Sequence, residues 1–172
     1  MNQMTKVVIA TSLSVGALLG ATSVGAQLPT DAHAATAQKA PYYTYKGVFN
    51  YKSNNALEDK NFYQALKADN FKYEGLKVGQ STRADVEKAL GKDLKKYYAK
   101  KGITYYEKND VIIGIDDHNK LVNLTLLVDK VEHSDKAIRD HVKSGEIFDA
   151  KTTQVAFYPG NSIVIKAKGS MA

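Results

Sequence analysis

The chain has 172 residues, with 24 lysines and arginines against 18 acids for a net charge of +6, and no cysteine. The missing cysteine excludes disulfides, thiol catalysis and cysteine-ligated zinc, so the fold must be held by packing alone. The excess of base favours a polyanionic partner over a cationic one.

Met1 to Lys6 is short and basic, Val7 to Ala26 is apolar and rich in small residues, and Ala32-His33-Ala34 fits the A-x-A cleavage pattern. Together these predict a secretory signal peptide over residues 1–34, cut between Ala34 and Ala35; Val24-Gly25-Ala26 is a weaker site upstream. Cutting 34 from 172 leaves 138 residues, and because Lys6 and Asp31 are lost together the charge stays at +6. That length suits one domain with a real core. No later stretch is long and apolar enough to span a membrane, so a secreted product is expected, free outside the cell or held at its surface by contacts. The lack of disulfides suits a Gram-positive exporter.

Residues 35–41 are small and polar and read as a disordered lead-in to a single domain over 42–172. "YYTYKGVFNY" (42–51) has the aromatic and β-branched content of a strand. "SNNALEDKNFYQALKAD" (53–69) predicts a helix, with Asn55 as N-cap, acids in its first turn, and Phe62, Ala65 and Leu66 on one face. "FKYEGLKVG" (71–79) is extended up to its glycine. Thr82 with Asp85 three residues on is a capping box, Val86, Ala89 and Leu90 form an apolar stripe, and Gly91 can end the helix. Three strand-like runs follow, at 103–107, 111–115 and 121–128, separated by turn-rich "KND" and "DDHNK". The middle run is apolar on both alternations and is expected to be internal to the sheet.

The order then repeats. A shift of 52 carries Thr82 to Ser134, Val86 to Ile138, Leu90 to Val142, Tyr105-Tyr106 to Phe157-Tyr158 and Val111-Ile112-Ile113 to Ile163-Val164-Ile165. A helix-then-hairpin unit used twice, at 79–128 and 134–168, is therefore expected. Short helices with antiparallel hairpins make the fold class α+β, with helices on one face of a sheet of about five or six strands.

Gly79, Ser81-Thr82, Val86 and Leu90-Gly91 before a hairpin resemble the signature of domains shaped like β-lactamase-inhibitor proteins and small outer-membrane assembly lipoproteins, a resemblance that concerns fold alone. A broader one rests on the leader, "PYYTY" (41–45), "DKNF" and the helix after it (59–66), "LGKDLKK" (90–96), "YY" (105–106) and "DHN" (117–119). These resemble the immunodominant staphylococcal antigen B family. The resemblance implies a secreted or cell-surface protein that binds extracellular nucleic acid without sequence specificity.

The residues offer little for catalysis. Past the leader there are three histidines, His118, His133 and His141, and no nucleophile, zinc or phosphate-loop motif. Asp116, Asp117 and Asn119 around His118 are what a hairpin turn requires, and they lack the spacing of a calcium loop. Glu132, His133, Asp135 and His141 lack metal-ligand spacing. No catalytic residue, metal site or cofactor is assigned, and an enzyme is not expected.

The basic and aromatic run from Lys92 to Lys108 is the candidate site. It holds Lys92, Lys95, Lys96, Lys100, Lys101 and Lys108 against only Asp93 and Glu107, with Tyr97, Tyr98, Tyr105 and Tyr106 among them. Lysines draw a phosphate backbone by counterion release, and tyrosine faces stack on unpaired bases. Tyr42, Tyr43, Tyr45, Lys46, Phe49, Tyr51 and Lys52 form a second such mixture. Arg83 and Arg139 are the only arginines, so base-edge reading is not expected and the partner is DNA, RNA or another polyanion bound without sequence preference. The alternative is a protein-binding module, inhibitor-like or a host-factor ligand, that uses the sheet face and needs an exposed apolar patch there.

Overall fold

The computed structural model describes residues 41–143 and 145–170. The signal peptide, its cleavage site at Ala34 and Ala35, and residues 35–40 of the lead-in lie outside them. In chain order the elements are β1 (Tyr43–Tyr45), a 3-10 turn (Ala56–Glu58), α1 (Lys60–Lys67), β2 (Phe71–Tyr73), α2 (Arg83–Leu90), β3 (Lys95–Lys100), β4 (Ile103–Lys108), β5 (Val111–Asp116), β6 (Leu121–Leu127), α3 (Ser134–Arg139), β7 (Ile147–Asp149), β8 (Thr153–Tyr158) and β9 (Ser162–Ala167).

Strands β3 to β9 form one antiparallel sheet in the order β3-β4-β5-β6-β9-β8-β7, and β1 and β2 form a separate parallel pair. The α+β class with an antiparallel sheet is as expected, but there are seven strands. The two extra ones are the edges. β3 carries no apolar alternation because all six of its residues are exposed, and β7 is only three residues long. The first two hairpins close on two-residue turns, Lys101-Gly102 and Asn109-Asp110, with φ of 50°, 75°, 52° and 57°. Positive φ at both turn positions gives a turn whose twist matches that of the strands.

One core seals the sheet to the helices. Phe62, Tyr63 and Leu66 from α1, Val86 and Leu90 from α2, and Ile138 from α3 meet Ile113, Leu124, Leu126, Phe157 and Ile163 from the strands, all buried. The capping box forms as expected: the Thr82 hydroxyl accepts from the Asp85 N–H, and the Asp85 carboxylate accepts from the Thr82 N–H at 2.8 Å. The first helix differs from expectation. Asn55 precedes only the 3-10 turn and makes no side-chain cap, whereas Asp59, in an extended conformation, accepts from the Asn61 N–H at 2.8 Å and starts α1.

The order helix-then-hairpin occurs twice, but not as a repeat with one gapless shift. The helix anchors do correspond: Val86 and Ile138 are fully buried, and Leu90 and Val142 nearly so. The cap does not. Ser134 is the first residue of α3, whose N-cap is His133 in a left-handed conformation without a side-chain bond. The hairpins differ in register, Lys108 pairing with Val111 and Tyr158 with Ser162. That extra loop residue changes which residues are cross-strand partners. Phe157 lies opposite Ile163 in the main core, while its counterpart Tyr105 lies opposite Gly114 in a small cluster on the other face.

The second basic-aromatic mixture dissolves into this core. Phe49 is fully buried, Tyr43 packs edge-on to Phe62 with ring centres 5.4 Å apart, Tyr45 meets Phe49 at 4.7 Å, and Lys52 is paired with Glu132 at 2.8 Å. Only the Tyr42 and Tyr51 rings stay largely exposed. Two buried phenols titrate high: burial pushes Tyr73 up to about 12 and Tyr63 higher still. Tyr73 donates to the Gly47 carbonyl at 2.8 Å and Tyr63 to the Leu57 carbonyl at 2.7 Å.

Thr82→Ala is expected to lower the unfolding free energy by about 1 kcal/mol in denaturant titration. Ser134→Ala, which removes no cap, should cost clearly less; equal losses would restore the repeat. Folded Tyr73 and Tyr63 hold protons that an unfolded tyrosine releases near pH 10. Their contribution is therefore complete below about pH 10 and is lost as pH rises through about 12. Denaturation midpoints should fall over that window, and less steeply in Tyr73→Phe.

Candidate nucleic-acid interface

Strand alternation sorts the sheet residues into two sets. Lys96, Tyr106, Ile113, Leu124, Ile165, Val155 and Phe148 are successive cross-strand partners, and this row faces the helices. Its neighbour rows face away. Lys95, Glu107, Ile112, Thr125, Val164, Ala156 and Ile147 cross all seven strands in one of them, and Tyr98, Tyr105, Gly114, Asn123, Lys166, Gln154 and Asp149 in the next. The cluster on this second face, Ile103, Tyr105 and Val122 with Ile112 and Ala167 against it, contains strand residues alone. Among the described residues, no helix contributes to it.

Gly114 makes the seat on this open face. A Cβ there would lie 2.7 Å from the Asn123 Cβ, 3.0 Å from the Tyr105 ring and 3.1 Å from Ile103, so the missing side chain is what lets the Tyr105 ring approach β5. Tyr98 stacks on Tyr105 with ring centres 4.3 Å apart and planes 12° from parallel. Tyr97 is the extra residue of a bulge, where the register slips between Lys96 and Tyr98. It meets Tyr98 edge-on at 5.3 Å and is 60% exposed. A bulge re-aims side chains, and this one puts two adjacent tyrosines beside the strand edge. Burial first, and the Tyr98 phenol second, raise the Tyr105 pKa above the ordinary tyrosine value.

The lysines do not form one surface. Lys108 lies 2.6 Å from Asp93, and this hydrogen bond holds the Asp93 carboxyl below its usual range. Lys95 is 80% exposed and only loosely opposed by Glu107, at 3.9 Å. Lys92 in the α2–β3 loop, and Lys96 and Lys100 on β3, form no ion pair among the described residues. Lys101 occupies the β3–β4 turn. Tyr106 faces the helices, where its hydroxyl lies 3.2 Å from the Arg83 guanidinium, itself bound to Glu87 at 2.9 Å. Of the ten candidate residues, Lys95, Tyr97, Tyr98, Lys100 and Tyr105 converge on the open side of the β3 edge, with Lys101 at its end. Tyr106 and Lys108 lie elsewhere, and Lys92 and Lys96 flank the edge from the loop and from the helix side.

The other polar groups are engaged in structure. Asp116, Asp117 and His118 bring one ligand atom each within 4.8 Å of one another. Asp116 accepts from the His118 and Lys120 N–H groups at 3.0 and 2.8 Å, which builds the turn between β5 and β6. His141 stacks on Tyr63 at 4.3 Å, its Nδ1 2.9 Å from the Ala137 carbonyl, and Asp135 pairs with Arg139 at 3.0 Å. Gly114→Ala is expected to destabilise the fold by about 1–3 kcal/mol through overpacking. It should also break the ring stack, lowering the alkaline midpoint of Tyr105 toward that of a free phenol in an ultraviolet titration.

No family model and no solved structure matches the chain. Among curated proteins it is 34% identical to Immunodominant staphylococcal antigen B of Staphylococcus aureus strain USA300, and equally so to the proteins of that name in strains NCTC 8325 and COL. Each alignment runs over 170 positions and takes in 73% of this chain and 95% of the relative. The chain belongs to the immunodominant staphylococcal antigen B family.

Proposed function

We propose that this protein is an extracellular, non-catalytic binder of nucleic acid, which it holds without sequence preference along the β3 edge. The observation that carries this reading is the pairing, on one exposed strand, of unneutralised lysine with a tyrosine stack open on one side. Phosphates are drawn by Lys96 and Lys100 on β3, by Lys92 in the preceding loop, and by the loosely held Lys95. The free ring faces of Tyr97 and Tyr98 offer stacking to unpaired bases, worth about 1–3 kcal/mol per base. With two arginines in the chain, and Arg83 and Arg139 both paired to acids, nothing is poised to read base edges. An extracellular site of action is supported by the relatives' description as an immunodominant antigen. It also fits the described residues, in which no helix is long and apolar enough to cross a membrane.

Binding to unrelated single-stranded DNA and RNA oligonucleotides should weaken linearly in a plot of log affinity against log salt. Each neutralised phosphate on a single strand adds roughly 0.7 to that slope, so replacing Lys92, Lys96 and Lys100 together by alanine should reduce it by about 2. Tyr98→Ala should weaken binding at every salt concentration and leave the slope unchanged. Absence of binding at low salt, or a slope indifferent to the three lysines, would remove the reading.

A further inference from the structure

We infer that the open face of the seven-stranded sheet is a self-association surface, and that its occupant is a second copy of this chain packed face to face. Three observations carry this, none of which depends on nucleic-acid binding. First, the face carries apolar residues on both sides of its middle strand. In one cross-strand row Ile112 on β5 and, across Thr125 on β6, Val164 on β9 and Ala156 on β8 are partly exposed, Leu127 is partly exposed on β6, and Ile147 closes the row at 57% exposure. Among the described residues the helices seal only the opposite face. Second, the size is sufficient. Seven strands about 4.8 Å apart and about 20 Å long present roughly 600 Å² per copy, and the two copies together reach the roughly 1,200 Å² at which specific interfaces begin.

Third, the charge is self-complementary. The strand residues of this face carry three bases, Lys95, Lys100 and Lys166, and three acids, Glu107, Asp116 and Asp149, in a chain whose net charge is +6. Two such chains repel each other overall, and the balanced strand charges of this face add nothing to that repulsion. The signs are also distributed from edge to edge. A two-fold axis along β6, the middle strand, lays β3 of one copy over β7 of the other. Ile112 then meets the second copy's Val164, and Asp149 comes between the second copy's Lys95 and Lys100, so self-association and nucleic-acid binding compete for the β3 edge. Within its own chain Asp149 accepts a hydrogen bond from the Gln154 side-chain amide at 3.2 Å and lies 3.6 Å from Lys168, both through Oδ1, which leaves Oδ2 for that contact. Lys166 reaches the second copy's Glu107 and Asp116 in the same way. Aligned packing of two sheets about 10 Å apart brings these rows together.

The test is sedimentation velocity on the protein as its cell processes it, from low micromolar to submillimolar concentration. A monomer–dimer equilibrium is expected. Val164→Glu should shift it to monomer while circular dichroism and the melting curve stay those of a folded chain. Lys95→Glu with Lys100→Glu should weaken association by roughly tenfold or more, and adding Asp149→Lys should restore it. A monomer at every concentration overturns the proposal, as does a dimer indifferent to all of these variants. So does a monomer whose Ile112 and Val164 amides become protected only when an oligonucleotide is added, which would give this face to nucleic acid.

Discussion

A strand residue can face only two ways, and burying Ile113, Leu124, Ile165 and Val155 under the helices decides the direction of every residue between them. Fully buried Val86 on α2 and Ile138 on α3 pin that face. From this constraint follow the open row through Ile112 and Val164, the seating of Tyr105 on Gly114, and the separation of Tyr105 from Tyr106. The candidate site is a by-product of core packing, placed where the sheet runs out on one side and, among the described residues, no helix covers it.

Edge position gives the lysines of β3 two physical roles. An exposed edge strand invites pairing with another chain, and lysines along it blunt that tendency. Of these lysines, Lys95 and Lys100 present positive charge on the open side beside the Tyr97–Tyr98–Tyr105 group. The bulge at Tyr97 also disturbs the edge, whereas the missing side chain at Gly114 lies two strands in, and both act on the tyrosines.

Much of this was legible in the residues. The Thr82 capping box, the β4 to β6 strands and the α+β class could be read because each rests on local chemistry or on period-two apolar alternation. The edges could not, since a strand with six exposed residues leaves no apolar trace. Repeat logic failed for a related reason. A shift of 52 matches residue types, but one extra residue in the β8–β9 loop changes the facing of Phe157 relative to Tyr105, and hydrophobic identity alone does not record facing. The lysine and tyrosine cluster was found by composition, yet its division came from pairing partners far apart in sequence, such as Asp93 with Lys108 and Arg83 with Tyr106. The mixture at 42–52 misled because tyrosine serves core and surface equally well.

The β3 edge is where the proposed role of this member of the immunodominant staphylococcal antigen B family can be tested. The most direct measurement is a two-dimensional amide NMR titration with a short single-stranded oligonucleotide. Shifts are expected at Lys95–Lys100 and at Ile103–Tyr105, together with broadening of the Tyr97 and Tyr98 ring signals, while the amides of α1 and α3 stay still. Shifts centred on the helices, or an unperturbed β3, would contradict the account.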